Sequence, residues 1–237
     1  MKVELIAHTQ LDWQRGVAAM KAAGYTFHKA ELDGSEWSVE DADELAEFAG
    51  RLCYKSWDRP NPATRSNAGY LGNIINQGHF SVLEHASATF LIDGVSRSLT
   101  HELVRHRHLS FSQVSQRYVD EGDFQLVVPP ALRGEEAVTS LLLNARSEAI
   151  WAYQGIVDRL TEKGLSRKEA RQAARSALPN ATATTIVVTG NLRSWREVIS
   201  KRNSPHADAE IRELAAEILR QLRTIAPNSF QDFVEVQ

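Results

Sequence analysis

Hydrophobic and polar positions follow two periodicities along the chain, and these predict a mixture of helices and strands. In residues 208–225 the apolar positions recur every three or four residues, which is typical of an amphipathic helix with one buried face. Residues 182–189 are mostly β-branched, which favours a strand. The predicted strands cover residues 2–8, 86–92, 124–128 and 182–189. One predicted helix begins at about Ser38, and the others cover about residues 67–77, 95–107, 135–163, 166–178, 191–202 and 208–225.

Residues that commonly begin or end helices and strands mark several boundaries of these elements. The segment Ser38-Val39-Glu40-Asp41 has the form of a capping box and begins a helix. Gly78 and Pro227 end the helices that precede them. The pair Asp93-Gly94 is typical of a tight turn after the second strand.

Helices and isolated strands follow one another without the strict alternation of a doubly wound fold. This order predicts an α+β fold, with mixed helices around a small, mostly antiparallel sheet. The chain has 237 residues, enough to bury a core without disulfides or a structural metal. No internal repeat, low-complexity segment or long linker divides it, so we predict a single domain over residues 1–237.

Composition and charge exclude several classes of protein. Hydrophobic residues make up 43% and charged residues 24%, as in an average globular domain, which excludes a disordered or coiled-coil chain. The net charge is −3, whereas a nucleic-acid or membrane-surface binder usually has a basic excess. The single cysteine precludes an intrachain disulfide, and no apolar run approaches the ~18 residues that cross a bilayer. We therefore expect a cytoplasmic protein that binds neither nucleic acid nor membrane.

Candidate chemistry is concentrated between residues 79 and 117. Five of the eight histidines lie in residues 79–108, and residues 95–117 hold four arginines against a single acid, Glu102. These histidines and arginines are His79, His85, His101, His106, His108, Arg97, Arg105, Arg107 and Arg117. Clustered guanidinium groups repel one another and commonly bind an anion, although a solvated helix face is the alternative. Apolar residues interleaved with the cluster favour the anion site.

The histidines do not have the spacing of a metal site. The segment from His101 to Arg105 begins like the zinc-protease motif His-Glu-x-x-His, but Arg105 stands where the second ligand should be. His106 lies five residues after His101 and therefore about 140° around a helix, on a different face. We predict no metal site. The sequence also lacks the glycine-rich motifs of nucleotide-binding loops and the Gly-x-Ser-x-Gly motif of hydrolases.

The arginine-rich segment contains Arg105-His106-Arg107 and, after seven further residues, Ser115. This pattern resembles the signature of the flavin-dependent thymidylate synthases. Further blocks resemble that family in the same order along the chain, which makes the resemblance specific where a lone Arg-His-Arg would not be. These blocks are residues 78–85, 173–179 and 189–195, the last followed by Lys201, Arg202 and His206.

The resemblance implies the reductive methylation of dUMP at C5 to give dTMP. The one-carbon unit would come from 5,10-methylenetetrahydrofolate, with tetrahydrofolate as product, and the hydride from FAD that NADPH reduces. The family also has an α+β fold and forms a homotetramer with sites between subunits. Two other classes remain open from the residues: a nucleic-acid-binding module that uses residues 105–117, and a metal-dependent nucleotide hydrolase. An absorbance spectrum separates them, because only the flavoprotein is yellow.

The resemblance also implies roles for individual residues. Arg202 would be catalytic, because a cation beside N3 and O4 of the uracil favours the ionised base and raises the electron density at C5. The implied dUMP site comprises Glu102, Leu103, Val104, Arg105, Gln113, Val114, Ser115, Gln116, Arg117, Arg175 and Arg202. The implied FAD site comprises Ser81, Arg105, His106, Arg107, Gln113, Asn191, Leu192, Arg193, Glu197 and His206.

Several of these residues have a purely structural alternative. Asn191 is a common helix N-cap residue. Arg202 stands at the predicted C-terminal end of a helix, where a cation interacts favourably with the helix dipole. For Arg167 and Arg171, which extend the helical stripe of Arg175, an ordinary solvated face is the preferred interpretation.

Cys53, the only cysteine, is not expected to be a nucleophile. The helix that begins near Ser38 places it on an apolar stripe, where a cysteine behaves as a small buried hydrophobe. The stripe consists of Leu45, Ala46, Ala49, Leu52 and Cys53.

Overall fold

Four strands form a single antiparallel sheet in the computed structural model, which describes residues 1–26 and 39–234. The strands are β1 (Lys2–His8), β2 (Ser87–Ser96), β3 (Leu109–Gln113) and β4 (Ala183–Asn191). Their order across the sheet is β1-β2-β4-β3, with β2 and β4 as the two inner strands. The strand β3, which begins just after the arginine-rich segment, is therefore at an edge of the sheet.

Eight helices accompany this sheet within the described residues, which confirms the predicted α+β fold. The helices are α1 (Gly16–Ala22), α2 (Asp41–Tyr54), α3 (Asn67–Asn76), α4 (Arg97–Leu103), α5 (Glu136–Glu162), α6 (Arg167–Ala174), α7 (Leu192–Arg202) and α8 (Ala209–Ile225).

Local capping signals fix the starts of α6 and α7 as predicted from the sequence. The Ser166 hydroxyl accepts a hydrogen bond from the Glu169 backbone N–H at 3.3 Å, and the Glu169 carboxylate binds back to Ser166. Asn191 Oδ1 accepts from the Ser194 backbone N–H at 2.8 Å. The cap predicted at Ser38 lies outside the described residues.

The main core lies between the sheet and the helices α7 and α8. Along β4 every second residue is buried, Ile186 among them. Trp195 of α7 is fully buried and packs edge-on against Phe90 of β2, with ring centroids 5.0 Å apart, and its indole N–H donates to the Ala88 carbonyl at 3.0 Å. Burial of such a ring contributes roughly 2–3 kcal/mol. This packing fixes the path of α7, which ends at Arg202.

Three sequence predictions in the sheet region are wrong. Residues 124–128 form no regular strand and make one isolated bridge, from Leu126 to Thr182. The predicted turn at Asp93-Gly94 is a β-bulge with Gly94 at φ +67°, and β2 continues beyond it because β4 pairs with both halves. The helix predicted over 95–107 is shorter, and β3, which the pattern does not predict, follows it. Each difference arises from pairing with a strand distant in sequence.

The helix α2 buries a different face from the predicted one. Leu52 is 45% exposed and Cys53 is exposed, so the apolar stripe does not extend to these two residues. The buried face carries the charged residues Asp43, Glu47 and Arg51 instead. Buried charges require partners, so the orientation of α2 depends on what packs against it.

A network of polar side chains supplies those partners. Arg51 Nε lies 2.5 Å from Glu47 Oε1, and the two terminal nitrogens of Arg51 donate to the carbonyls of Ser56 at 3.1 Å and Thr64 at 2.6 Å. Asn67 of α3 donates to the other carboxylate oxygen of Glu47 at 2.8 Å. A buried ion pair is stable when further hydrogen bonds satisfy both ions. The network therefore ties α2 to α3 and to the loop between them.

Candidate functional site

The end of α4 presents the Arg-His-Arg triplet. Ser96 caps the helix by accepting a hydrogen bond from a backbone N–H of its first turn at 3.0 Å, and Leu103 in the last turn is fully buried. With Leu103 in the core, the chain leaves the helix so that His106 is only 7% exposed while Arg105 and Arg107 on either side are exposed. The triplet therefore directs one imidazole inward and two guanidinium groups outward.

Arg202, at the C-terminal end of α7, lies against the end of α4. Its Nη1 donates to Glu102 Oε2 at 2.6 Å, its Nη2 to the Glu102 carbonyl oxygen at 3.3 Å, and its Nε to His106 Nε2 at 3.1 Å. The Arg202 side chain is 21% exposed. Three contacts thus orient a guanidinium group that is still partly exposed. A favourable interaction with the helix dipole alone would require none of these contacts.

Within the cluster of Arg202, Glu102 and His106, the positive charge belongs to Arg202. Burial and then the Arg202 charge lower the pKa of His106, so the ring is neutral and, with Nε2 accepting, carries its proton on Nδ1. Burial and the neighbouring Asp208 carboxylate raise the pKa of Glu102, whereas Arg202 acts in the opposite direction. A guanidinium keeps its charge across the whole accessible pH range.

Arg97, in the first turn of α4, holds the loop that carries Ser115 and Arg117. Its Nη2 donates to the Val114 carbonyl at 2.8 Å, and within the loop the Arg117 backbone N–H donates to Ser115 Oγ at 3.4 Å. Burial lowers the pKa of Arg97, and the Arg175 cation lowers it further, so the end of α6 lies near this loop. The resemblance did not assign Arg97 to the site; its place in the arginine cluster was the only signal in the sequence.

Four of the implied site arginines make no side-chain hydrogen bond or ion pair with the residues that the structure describes. They are Arg105, Arg107, Arg117 and Arg175. Arg133 and Arg146 are instead neutralised by carboxylates at 2.7 and 2.5 Å. Arg175 lies near Arg97, which holds the Ser115 loop, whereas Arg105 and Arg107 lie before the opposite end of β3. An unpaired guanidinium group keeps its hydrogen-bonding capacity for an anion such as a phosphate.

A cavity of about 550 Å³ lies beside α4. Glu102, Val104 and Gln113, all implied dUMP residues, line it together, and so does Asp208, which the sequence did not single out. Leu103 is fully buried and offers a ligand only backbone atoms. The other implied residues here, Val114, Gln116 and Arg117, are half-buried in the loop after β3.

A second cavity, of about 400 Å³, contains two of the implied FAD residues. Ser81 and Arg193 line it together with Cys53 and the aromatic rings of Tyr70 and Phe80. Aromatic walls and a guanidinium group suit a flat, anionic heteroaromatic ligand. Cys53 is thus a surface residue at this cavity and not part of the core.

The remaining implied FAD residues differ in which of their atoms a ligand could contact. Asn191 is the N-cap of α7, as its structural alternative predicts, so only its amide nitrogen is available to a ligand. Leu192 is fully buried and offers only its backbone. Glu197 pairs with Lys201 at 2.5 Å, and His206 is exposed.

Arg171 does not belong to a solvated face. Its Nη2 donates to Asp120 Oδ2 at 2.6 Å and its Nη1 to the Tyr118 carbonyl at 2.8 Å. Arg171 therefore fastens the segment after Arg117 to α6, whereas Arg167 on the same helix is exposed, as predicted.

The histidines of residues 79–108 are dispersed in the fold. His106 contacts Arg202, whereas His79 lines the cavity of Ser81 and Arg193. Within residues 1–26 and 39–234, no group of three or more His, Cys, Asp or Glu residues could hold a metal ion. Over the same two ranges, no helix combines the length and apolarity needed to cross a bilayer.

Known proteins match the chain across these same elements. A family model described as thymidylate synthase complementing protein matches residues 36–228. The "Probable flavin-dependent thymidylate synthase" of Mycobacterium phage L5 is 51% identical over 244 aligned residues, covering 100% of this chain and 98% of the relative. Proteins named "Flavin-dependent thymidylate synthase" from Mycobacterium bovis and Mycobacterium marinum are 56% and 54% identical, each covering over four-fifths of both chains. The chain therefore belongs to the thymidylate synthase complementing protein family, which confirms the resemblance seen in its sequence.

Proposed function

We propose that the protein is an FAD-dependent thymidylate synthase that methylates C5 of dUMP to give dTMP. The carbon donor is 5,10-methylenetetrahydrofolate, which leaves as tetrahydrofolate, and NADPH is the reductant. The observation that carries the proposal is the juxtaposition of Arg202, Glu102 and His106 beside unpaired guanidinium groups. Relatives named as flavin-dependent or probable flavin-dependent thymidylate synthases match the chain over most of its length and support the proposal.

The phosphate of dUMP is held by the loop after β3. The Ser115 hydroxyl, the backbone N–H groups of residues 115–117, and the guanidinium groups of Arg117 and Arg175 form charge-assisted hydrogen bonds to a dianion. The unpaired state of the Arg175 side chain supports this role. The nucleoside then extends along the cavity lined by Glu102 and Gln113. Leu103, Val104, Arg105, Val114 and Gln116 complete the dUMP site.

Arg202 activates the pyrimidine by electrostatics. Its fixed positive charge beside N3 and O4 stabilises the ionised base and so raises the electron density at C5, where the new bond forms. Neutral His106 orients the guanidinium through Nε2 without adding a competing positive charge. No covalent attachment of the substrate to this chain is required.

The cofactor site combines charged and aromatic groups of this chain. Arg105 and Arg107, whose guanidinium groups are unpaired, bind the FAD diphosphate. The cavity with Ser81, Tyr70 and Phe80 accepts a flat ring, and Arg193, which is paired with Glu84, contacts the cofactor at the edge of that cavity. When bound and reduced by NADPH, the flavin would supply the hydride that converts the transferred one-carbon unit to a methyl group. The further FAD contacts are His106, Gln113, Asn191, Leu192, Glu197 and His206.

The enzyme functions as a homotetramer in the cytoplasm, with sites formed between subunits. The helix α5 supports this assembly, because it is 27 residues long and buries only Ala149 and Tyr153 among its residues. Trp151 is 75% and Leu141 66% exposed on that helix. Exposed apolar surface of this kind is typical of a protein–protein interface.

Spectroscopy and turnover test the proposal. The purified protein should bind FAD and be yellow, oxidise NADPH faster when dUMP is present, and form dTMP only with 5,10-methylenetetrahydrofolate. A protein that binds no FAD at low salt, or forms no dTMP when loaded with FAD, would contradict it. A colourless protein with steeply salt-dependent oligonucleotide binding would support the nucleic-acid-binding alternative instead.

A further inference from the structure

Gln113, the last residue of β3, is held by two threonine hydroxyl groups. Its amide nitrogen Nε2 lies 3.1 Å from Thr100 Oγ1 of α4 and 3.4 Å from Thr184 Oγ1 of β4. Both threonines are buried, so water does not compete freely for these contacts. The Gln113 side chain is therefore fixed between a helix and the neighbouring strand, and the chemistry proposed above gives neither threonine a role.

The hydroxyl of Thr100 determines which way the Gln113 amide faces. Thr100 Oγ1 donates its single hydrogen to the Arg97 carbonyl oxygen at 3.1 Å. A hydroxyl whose hydrogen is already used can only accept a further hydrogen bond. The Gln113 atom beside Thr100 is therefore the amide nitrogen, because the amide oxygen in that place would bring two acceptors into contact.

This orientation leaves the amide oxygen of Gln113 free to accept. The two hydrogens of Nε2 are used by Thr100 and Thr184. Gln113 Oε1 has no donor within residues 1–26 and 39–234, yet it is not one of the buried atoms that lack a partner, so it is accessible. Gln113 and Thr100 both line the cavity of about 550 Å³ beside α4. The wall of this cavity thus presents a hydrogen-bond acceptor at Gln113.

An acceptor in this position favours a nucleotide that carries a matching donor. Outside its phosphate, neutral dUMP has two donors, the N3–H of the uracil and the 3′-hydroxyl of the deoxyribose. The proposed mechanism places N3 beside Arg202, where the ionised base has no N3–H to donate. The 3′-hydroxyl is then the donor that remains for Gln113 Oε1.

We infer that Thr100 and Thr184 are positioning residues that orient the Gln113 amide so that its oxygen accepts a hydrogen bond from the 3′-hydroxyl of dUMP. The inference rests on the proposed binding of dUMP in this cavity. Because the two threonines hold the amide before the nucleotide arrives, binding does not have to order the Gln113 side chain. A nucleotide without a donor at the 3′ position leaves Oε1 unpaired and loses affinity.

Calorimetric titration of the flavin-loaded enzyme with two nucleotides tests this inference. The first is dUMP, and the second is its 3′-deoxy-3′-fluoro analogue, in which fluorine replaces the hydroxyl group without a hydrogen to donate. The wild type should bind the analogue about 3- to 10-fold more weakly than dUMP. Equal dissociation constants for the two nucleotides would overturn the inference, and this comparison needs no variant.

Removing a threonine hydroxyl should affect only the nucleotide that carries the 3′-hydroxyl. In Thr100→Val the dissociation constant of dUMP should rise about 3- to 10-fold, whereas that of the fluoro analogue should stay within about twofold of the wild-type value. Thr100→Ser keeps the hydroxyl and should restore the affinity for dUMP. Thr184→Val should have a smaller effect in the same direction, because its contact with Gln113 is longer. Equal rises for both nucleotides, or no rise for dUMP, would overturn the inference.

Thr224→Val is the matched control for Thr100→Val. Thr224 of α8 also donates its hydroxyl hydrogen to the carbonyl three residues earlier, at 2.7 Å, but it is exposed and lies outside the cavity. This variant should leave both dissociation constants unchanged. Circular dichroism reports folding, and if Thr100→Val does not fold, the wild-type comparison and Thr184→Val decide the outcome.

The proposed function and the positioning role fail in different ways. A flavin-loaded wild type that does not bind dUMP would contradict the proposed function. A wild type that binds dUMP and the fluoro analogue equally well contradicts only the positioning role. A Thr100→Val variant with weaker FAD binding and normal dUMP binding would show that Gln113 serves the cofactor instead, which also overturns the inference.

Discussion

The molecule contains two arginine-rich regions that differ in how their charges are matched. Beneath α2, Arg51 is 3% exposed and its nitrogens are bound by the Glu47 carboxylate and by two backbone carbonyls. At the end of α4, Arg105 and Arg107 are exposed, and their guanidinium groups have no partner within the described part of the chain. Both regions combine cations with apolar neighbours, so composition does not distinguish them.

The difference shows that the matching of charges separates a structural arginine from a ligand-binding one. A buried and fully satisfied ion pair stabilises one packing arrangement and has no capacity left for a ligand. An unpaired guanidinium keeps its hydrogen-bonding capacity for a phosphate. Arg202 lies between these extremes, because it is oriented by Glu102 and His106 and is still partly exposed.

The largest effect should come from breaking the buried contacts of Arg51 beneath α2. Arg51→Ala removes one of the two buried cations of the Glu47 carboxylate, the other being Arg59 at 3.3 Å, and leaves the carbonyls of Ser56 and Thr64 without their donor. The loss of these charge-assisted contacts should lower the free energy of unfolding by about 3–5 kcal/mol. Urea denaturation measures this change. The matched control is Arg159→Ala, which removes an exposed ion pair with Glu162 and should cost less than about 1 kcal/mol. Equal losses in the two variants would contradict the comparison.

At the end of α4, Arg202→Ala should lower turnover per bound flavin by about 100- to 1000-fold while flavin remains bound. The reason is that in the proposed mechanism the cation acts on the pyrimidine and not on the cofactor. Rates of dTMP formation normalised to flavin absorbance give the measurement. Arg220→Ala, which removes a surface arginine paired with Glu217, should have no effect. Loss of flavin with normal turnover per remaining flavin would show that the role of Arg202 is misassigned.

Asp43 of α2 extends the comparison to a buried carboxylate, because its hydrogen-bond donors are neutral groups and not cations. It accepts hydrogen bonds from the backbone N–H groups of Asn228 and Ser229 and from the Ser229 hydroxyl. Burial nevertheless raises the pKa of Asp43 to about 6. The folded state thus binds the proton more tightly than the unfolded chain, and this contribution to stability is complete below about pH 4 and lost as the pH rises through 6.

The stability of the wild type relative to Asp43→Asn should therefore decrease between pH 4 and pH 7, by up to about 3 kcal/mol. Urea denaturation of both proteins at several pH values measures the difference, since asparagine does not titrate. A difference that is constant with pH would show that burial does not dominate at Asp43.

Arg175→Ala should raise the KM for dUMP about 10- to 150-fold with a smaller change in kcat, because it removes the proposed charge-assisted hydrogen bond to the phosphate. Steady-state kinetics at low salt provide the test. Arg167→Ala removes an exposed arginine from the start of α6, the helix that Arg175 follows, and should leave KM within about twofold. A similar rise in KM for both variants would indicate a diffuse basic surface and not a defined anion site.

The smallest effect is expected at Cys53. Although the thiol is exposed at the cavity of Ser81 and Arg193, the Arg202 mechanism needs no nucleophile from the chain. Cys53→Ala should keep dTMP formation within about tenfold, roughly 1.4 kcal/mol of barrier. A loss of several orders of magnitude, with fold and flavin content unchanged, would mean that a thiol is used in the reaction.

Sequence patterns that depend on residues three or four positions apart gave predictions that the structure confirms. The helix start at Ser166, the Asn191 cap and the apolar stripe of α8 all appear in the structure at the predicted places. Such signals depend on neighbours along the chain, so the sequence contains both partners of each interaction.

Elements whose partners are distant along the chain were predicted poorly. The strand β3 exists because β4, more than 70 positions later, offers a hydrogen-bonding edge to it, as in the pairing of Gln113 with Ile186. The buried face of α2 is polar because Asn67 and Ser229 complete its hydrogen bonds. Neither partner can be identified from the local pattern of the segment that it stabilises.

The sequence by itself determined the α+β class, most of the longer helices, and the arginine-rich segment that ends in Ser115 and Arg117, but neither α1 nor the bounds of α4. Only the tertiary structure decided which of those cations are matched. Arg202 meets Glu102 and His106, about 100 positions away, because Trp195 and Phe90 pack α7 against β2 and so bring its end to α4. A hydrogen bond forms over about 3 Å in space irrespective of separation along the chain, and for this reason the matching of charges is a property of the fold.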